Sequence, residues 1–217
     1  MSRSTALRPM TPKAVGRLAI YRRVLAGLAG DGIMAVHSQD IARLAGMTSS
    51  LVRQDLMRVG YRGNPQHGYD VGRLDAAIAE TLGGPRGDRA VLLGVGNLGR
   101  AILQYFRTAH PGLQMVAAFE TDVDLVTTRC HGVPVRHLLD LEEIVGGEQV
   151  RIAILAVPAR VAQSVTDRLV CLGVRSILNF TSTTVRAPAG TYVENHDIGL
   201  ALERVAYFAQ RTEEVPA

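Results

Sequence analysis

The sequence predicts a two-part α/β chain, with an N-terminal winged helix-turn-helix unit followed by a doubly wound, mostly parallel sheet. Three observations predict it. Positive charge sits at the front: residues 1–86 hold 12 Arg and Lys against 6 Asp and Glu, whereas 87–217 hold 12 against 14. The hydrophobic period is helical to about residue 80, then changes to short β-rich runs alternating with helical segments. Between the two lies a Gly/Pro stretch, Gly83 to Asp88, that reads as a linker. The expected domains are therefore 1–86 and 87–196, with a last helical segment, 197–217. At 217 residues and 47% hydrophobic content the chain can bury two small cores. No apolar run approaches membrane length, the start MSRSTALRPM lacks a secretory core, and two cysteines provide no disulfide framework, so a soluble cytoplasmic protein is expected.

In the first unit, Leu18, Val24, Leu25 and Leu28 recur at helical intervals and predict an amphipathic helix over 15–28. Ser38 reads as the cap of a second helix closed by Gly46, and Thr48 as the cap of a third running to Val59. That third helix separates by face: Val52, Leu56 and Val59 point inward, while Ser50, Arg53, Gln54 and Met57 share the outer side. Arginine pairs with guanine, glutamine with adenine and serine with phosphate, so this surface suits a major groove. Ser49 and Arg58 complete the candidate contacts on the helix. Segment 60–69 reads as a hairpin wing carrying Arg62, and 69–80 as a further helix. The basic excess points to an acidic partner, with double-stranded DNA the leading candidate.

The second unit contains predicted strands at 90–94, 114–119, 133–135, 151–157, 176–180 and 191–194. Helices are expected near 97–109, 138–145 and 159–171, with a final one at about 197–210. The run GVGNLG, Gly94 to Gly99, follows the first strand and opens a helix, the setting of a Rossmann pyrophosphate fingerprint. Glu120 ends the next strand, about 20 residues beyond the last glycine, where a carboxylate binds ribose hydroxyls and repels a 2′-phosphate. NAD(H) is therefore expected over NADP(H).

Catalytic equipment is not evident beside this fingerprint, and no enzyme is expected. The single lysine, Lys13, lies outside the unit, which excludes a Tyr-x-x-x-Lys pair and a lysine Schiff base there. His110, His131, His137 and His196 read as loop or surface residues, and Cys130, His131 and His137 lack the spacing of a zinc site.

A basic helix-turn-helix followed by such a fold resembles the Rex family of redox-sensing transcriptional repressors. The likeness spans nearly the whole chain and rests on VRQDL (52–56), Gly68-Tyr69, GVGNLG (94–99), AAFETD (117–122), ILAVPA (154–159), ILNF (177–180) and VENHD (193–197). The resemblance implies a homodimer in which the C-terminal helix, 197–217, is exchanged between subunits. It implies NADH and NAD+ as regulatory ligands, NADH releasing the protein from a palindromic operator. Gly94, Val95, Gly96, Asn97, Leu98 and Gly99 would then cradle the pyrophosphate and Glu120 the ribose. Val157, Pro158, Ala159, Asn179 and Phe180 would surround the nicotinamide, with Ile198 supplied by the exchanged helix. Arg23, Tyr105 and Asp197 match the polar residues by which the family links DNA-binding helix, cofactor pocket and exchanged helix. Gln54 stands where the family usually has lysine, and Thr181-Ser182 where it commonly has Ala-Pro. Two other classes fit the residues: a small NAD-dependent oxidoreductase, and a regulator responding to CoA or acyl-CoA.

Overall fold

The computed structural model describes residues 10–64, 66–83, 88–110 and 112–211. The chain divides into two compact units, Met1–Arg86 and Gly87–Ala217.

In the first unit, helix α1 spans Pro12–Gly30. It starts ahead of the hydrophobic stripe because Thr11 accepts from Ala14 N and Pro12 occupies the first turn, where its missing N–H is harmless. Its buried line is Ala14, Leu18, Tyr21 and Leu25, so Tyr21 takes the inward place expected of Val24. A short strand β1, Ala35–Val36, leads into α2, Ser38–Ala45. Ser38 is not the cap of α2: His37 holds that position without a side-chain cap bond, and Ser38 is already helical. Gly46 closes the helix in the left-handed region, and Thr48 caps α3, Ser49–Val59, by accepting from Leu51 N.

The wing is smaller than the expected hairpin. Asn64 and Gly68 form a single bridge, and β2, Tyr69–Asp70, pairs instead with β1 in the register Ala35↔Asp70 and Val36↔Tyr69. Gly68 forces this exit, since at φ +74° a Cβ there would stand 2.5 Å from Val36 O. Asp70 then accepts from Arg73 N and starts α4, Val71–Thr81. The core gathers Leu18, Tyr21, Leu25, Ile41, Val52, Leu56, Leu74 and Ile78. Of the expected linker, residues 84–87 lie outside the described residues.

One buried charge sits in this core. Asp55, on the inner face of α3, is fully buried and takes Arg17 Nε at 2.6 Å, Arg17 Nη2 at 2.8 Å and the Tyr21 hydroxyl at 3.1 Å. The hydrogen bond that Arg17 donates to Asp55 raises the Arg17 pKa, and burial followed by the Asp55 charge pushes Tyr21 up to about 12.

The second unit is a seven-stranded sheet with the strands β3 Arg89–Leu93, β4 Gln114–Glu120, β5 Arg129–Cys130, β6 Val133–His137, β7 Ile152–Leu155, β8 Ser176–Asn179 and β9 Tyr192–Asn195. Their spatial order is β5-β6-β4-β3-β7-β8-β9, and every pairing is parallel except β5 with β6. Strand β5 escapes a hydrophobicity reading because it has two residues, and a two-residue turn at His131 and Gly132, both at positive φ, returns it to β6. Helices α5 Asn97–Ala109, α6 Leu141–Gly147 and α7 Ala159–Cys171 connect the strands. Two apolar clusters line the sheet: one includes Leu93, Phe119, Leu155 and Leu169, the other Leu92, Leu103, Ala118 and Ile154. Successive strands grow outward from β3 through β4 and β6, then restart on its other side at β7, which opens a crevice at the carboxyl ends of β3 and β7. Helix α8, Ile198–Arg211, leaves Ile198, Leu200, Leu202, Val205 and Phe208 exposed. Among the described residues no helix is long and apolar enough to cross a membrane.

Replacing Asp55 by Ala strips two partners from a buried network and should cost about 3 kcal/mol or more. Urea unfolding followed by circular dichroism measures this; a loss below about 1 kcal/mol would show that the Arg17 and Tyr21 contacts add little.

Candidate functional site

The three fingerprint glycines are glycine for different reasons. At Gly94, φ is +95° and a Cβ would lie 2.4 Å from Ala156 O, so strand β7 approaches too closely for any side chain. At Gly99 a Cβ would lie 2.0 Å from Gly94 O, so helix α5 rests directly on the turn that starts it. Gly96 differs: a Cβ there meets nothing within 4 Å, and its φ of −67° is open to any residue. Nothing in the folded chain requires glycine at 96, whereas a ligand lying against the helix N-terminus does.

That N-terminus is chemically prepared. Gly96 occupies the cap position of α5 and no side chain caps the helix, so the first N–H groups, with the helix dipole, are available to an anion. Asn97 and Leu98 are exposed at this end. Val95 is buried, and its peptide is held from both sides: Glu120 Oε2 accepts its N–H at 2.8 Å, and Arg100 Nε donates to its carbonyl at 2.9 Å. Glu120 Oε1 also accepts from Thr121 N at 2.7 Å. Burial pushes the Glu120 carboxyl up, but the N–H groups of Val95, Thr121 and Asp122 more than offset this and hold it below the usual carboxylate range. The group is ionised at neutral pH, the state in which a carboxylate accepts ribose hydroxyls and repels a 2′-phosphate. These residues fit a dinucleotide.

On the far side of the crevice, Val157 is half-buried, while Pro158 and Ala159 are exposed at the uncapped start of α7. Asn179 is fully buried and its side-chain amide is engaged within the chain. Nδ2 donates to Thr183 O at 2.7 Å and Asn195 Oδ1 at 2.8 Å, and Oδ1 accepts from Thr181 N at 3.0 Å and Thr181 Oγ1 at 2.7 Å. Its side chain therefore shapes the loop that follows β8. Phe180 is half-buried and stacks on His196, ring centres 5.9 Å apart. A cavity of about 470 Å³ lies beside them, with Ser182, His196, Asp197, Ile198 and Arg204 in its wall. Asp197 caps α8, its Oδ1 accepting from Leu200 N at 3.0 Å. Tyr105 is exposed on α5 in edge contact with Phe106 and His110, and Arg23 is exposed on α1.

On α3, Ser50, Arg53, Gln54, Met57 and Arg58 are exposed and Ser49 is half-buried, while Arg62 is exposed in the wing. Arg53 Nη1 donates to Ser38 Oγ at 3.3 Å, and Arg58 lies 3.6 Å from Asp55. Val52 and Leu56 are buried, so the inner face sets which residues face outward. Sequence reasoning missed four participants: Asp55, Arg100, Asn195 and the Thr181 hydroxyl. Asp55 carried a legible signal, since it lies three residues after Val52 on the inward face, and Arg17 and Tyr21 are one turn apart on α1. Asn195 carried none, because its contact with Asn179 depends on the β8–β9 register, whereas the Thr181 contact is local, two residues along the chain.

A basic helix-turn-helix unit and a dinucleotide crevice on one chain define a class, the ligand-responsive DNA-binding regulators. Residues 11–56 match the family model described as "Putative DNA-binding protein N-terminus", and residues 87–183 the one described as "CoA binding domain". The redox-sensing transcriptional repressor Rex of Rhodopirellula baltica is 38% identical over 201 residues, covering 93% of this chain and 85% of that protein. The Rex of Anoxybacillus flavithermus is also 38% identical, over 92% of this chain and 94% of its own. The crystal structure of RSP in complex with β-NAD+ and operator DNA matches with a TM-score of 0.87 at 28% identity, covering 95% of both chains. RSP in complex with β-NADH matches with a TM-score of 0.83 at 28% identity, over 95% of this chain and 97% of its own. The chain belongs to the Rex family of redox-sensing transcriptional repressors, a family of regulators rather than enzymes.

Because the Glu120 pKa is lowered on folding, its contribution to stability is present above the unfolded carboxylate value and lost as pH falls through the folded one. Glu120→Gln should lower the melting temperature at neutral pH, with the gap to the parent closing on acidification. A gap that does not depend on pH would show that the carboxylate charge does not hold Val95.

Proposed function

We propose that this protein is a cytoplasmic, homodimeric repressor that binds double-stranded operator DNA through α3 and the wing, and that NADH, competing with NAD+, releases it. The observation that carries the reading is Gly96, a glycine that no contact within the chain requires, at an uncapped helix N-terminus beside an ionised Glu120. An enzyme and a sensor share that cradle, and membership in a family of regulators decides between them.

When bound, the dinucleotide supplies a nicotinamide whose charge differs between its oxidised and reduced forms. The chain's own residues do the rest. The N-terminus of α5 holds the pyrophosphate at Gly96, Asn97 and Leu98, over the turn that Gly94, Val95 and Gly99 shape, and Glu120 holds the ribose. The loop shaped by Asn179, with Val157, Pro158, Ala159 and Phe180, and with Ile198 from the exchanged helix of a second subunit, forms the nicotinamide end. The apolar exposure of Ile198, Leu200, Leu202 and Val205 on α8 supports a subunit exchange that would cover them. Release of DNA requires that NADH favour the non-binding conformation, because equal affinity for both shifts nothing. Arg23, Tyr105 and Asp197 are the proposed switch. Asp197 caps α8, so a new partner for its carboxylate would compete with the cap. Two half-sites read by equivalent helices make the operator palindromic.

The test is fluorescence anisotropy of the full chain on genomic duplex fragments, titrated with NADH, NAD+, NADPH and CoA. NADH alone should release the DNA efficiently; affinity unaffected by all four ligands overturns the proposal, and release by CoA alone replaces NADH with CoA as the effector. Arg53→Ala should weaken DNA binding roughly 10- to 100-fold and leave NADH affinity intact. Gly96→Asp, which puts bulk and negative charge where the pyrophosphate lies, should abolish the NADH response while folding and DNA binding persist.

A further inference from the structure

The outer face of α3 divides its residues by what already holds them. Both arginines are tethered within their own unit, Arg53 to Ser38 Oγ at 3.3 Å and Arg58 to Asp55 at 3.6 Å. No hydrogen bond or ion pair holds Gln54 or Met57 among the described residues, and Met57 is 76% exposed. The two lie three residues apart, so their side chains project side by side from successive turns. Apolar contacts on this helix are made on its other face by Val52 and Leu56, which leaves the Met57 thioether alone among polar neighbours.

A major groove offers such a side chain one kind of apolar partner. Base edges there present acceptors and donors, and the thymine 5-methyl is the group that buries hydrocarbon against hydrocarbon. An unbranched, polarisable methionine adapts to a methyl at the groove floor without a fixed rotamer. Glutamine beside it has the donor and acceptor that match the N6 and N7 of adenine. We propose that Met57 reads a thymine methyl group in each half-site, with Gln54 on an adenine near it, so that this helix prefers an A·T-containing step at that place. The inference rests on the reading of α3 as the helix that enters the major groove.

The experiment uses the full chain and a duplex enriched on it from a randomised library, with each thymine replaced in turn by uracil, which keeps the pairing edge and removes only the methyl. One position per half-site should weaken binding about fourfold per methyl removed, the equivalent of about 0.8 kcal/mol for one buried carbon. In Met57→Ala that penalty should vanish at that position and persist elsewhere, whereas Met57→Leu should retain part of it. Penalties that are the same in the parent and in Met57→Ala at every thymine overturn the inference while leaving DNA binding intact. A library from which no duplex is enriched overturns the DNA-binding reading itself, and the inference falls with it.

Discussion

The second unit is organised by a backbone contact that leaves no room for a side chain. Strand β7 brings Ala156 O to where a Cβ on Gly94 would be, and α5 lays Gly99 against the carbonyl of the same Gly94. These two approaches fix the angle at which the chain leaves β3 and starts α5. The proposed dinucleotide cradle follows from that angle. The helix N-terminus points across the carboxyl ends of β3 and β7, Gly96 faces open space, and Val95 N is left directed at Glu120 on the neighbouring strand. Because β3 pairs with β4 on one side and β7 on the other, the same contact locks the sheet at its point of reversal.

Two carboxylates divide the electrostatic work, and their surroundings explain their different duties. Asp55 is fully buried, with an arginine and a tyrosine hydroxyl directed at it, so it is committed to joining α3 to α1. Glu120 is only half-buried, and backbone N–H groups hold it. Oε1 accepts twice from Thr121, whereas Oε2 takes Val95 N and keeps capacity to accept from a ligand. A structural carboxylate and one left open to a ligand are distinguished here by the donors that surround them.

The reach of the sequence depended on the range of the interactions involved. Thr48, Gly46 and the period of Val52 and Leu56 placed α2 and α3 correctly, since caps and stripes are local. The GVGNLG run with Glu120 at its distance located the crevice, because strand, turn and helix are adjacent in the chain. Misplacements occurred where a distant partner decided. Ser38 gives way to His37 as the cap position because β1 extends to Val36 to meet β2, and the wing contracts to one bridge because Gly68 steers the chain to Val36. The role of Asn179 was illegible for the same reason. Its amide is satisfied by Thr181, Thr183 and Asn195, and the last is sixteen residues away on a paired strand.

Under the proposed function, that amide also bears on how a reduced nicotinamide is told from an oxidised one. The two forms differ at the nicotinamide by one charge and the planarity of the ring, so the discriminating surface must be shaped finely and hold its shape. A loop free to adjust would accommodate both forms and lose the difference in affinity on which release depends. In this chain the loop after β8 is fixed by one fully satisfied amide, and Thr181 supplies a hydroxyl as well as a backbone N–H to it. Thr181 thus holds this loop by hydrogen bonds rather than by the fixed ring of a proline. Under the proposed function, rigidity at the nicotinamide end is supplied here by the hydrogen bonds of Asn179.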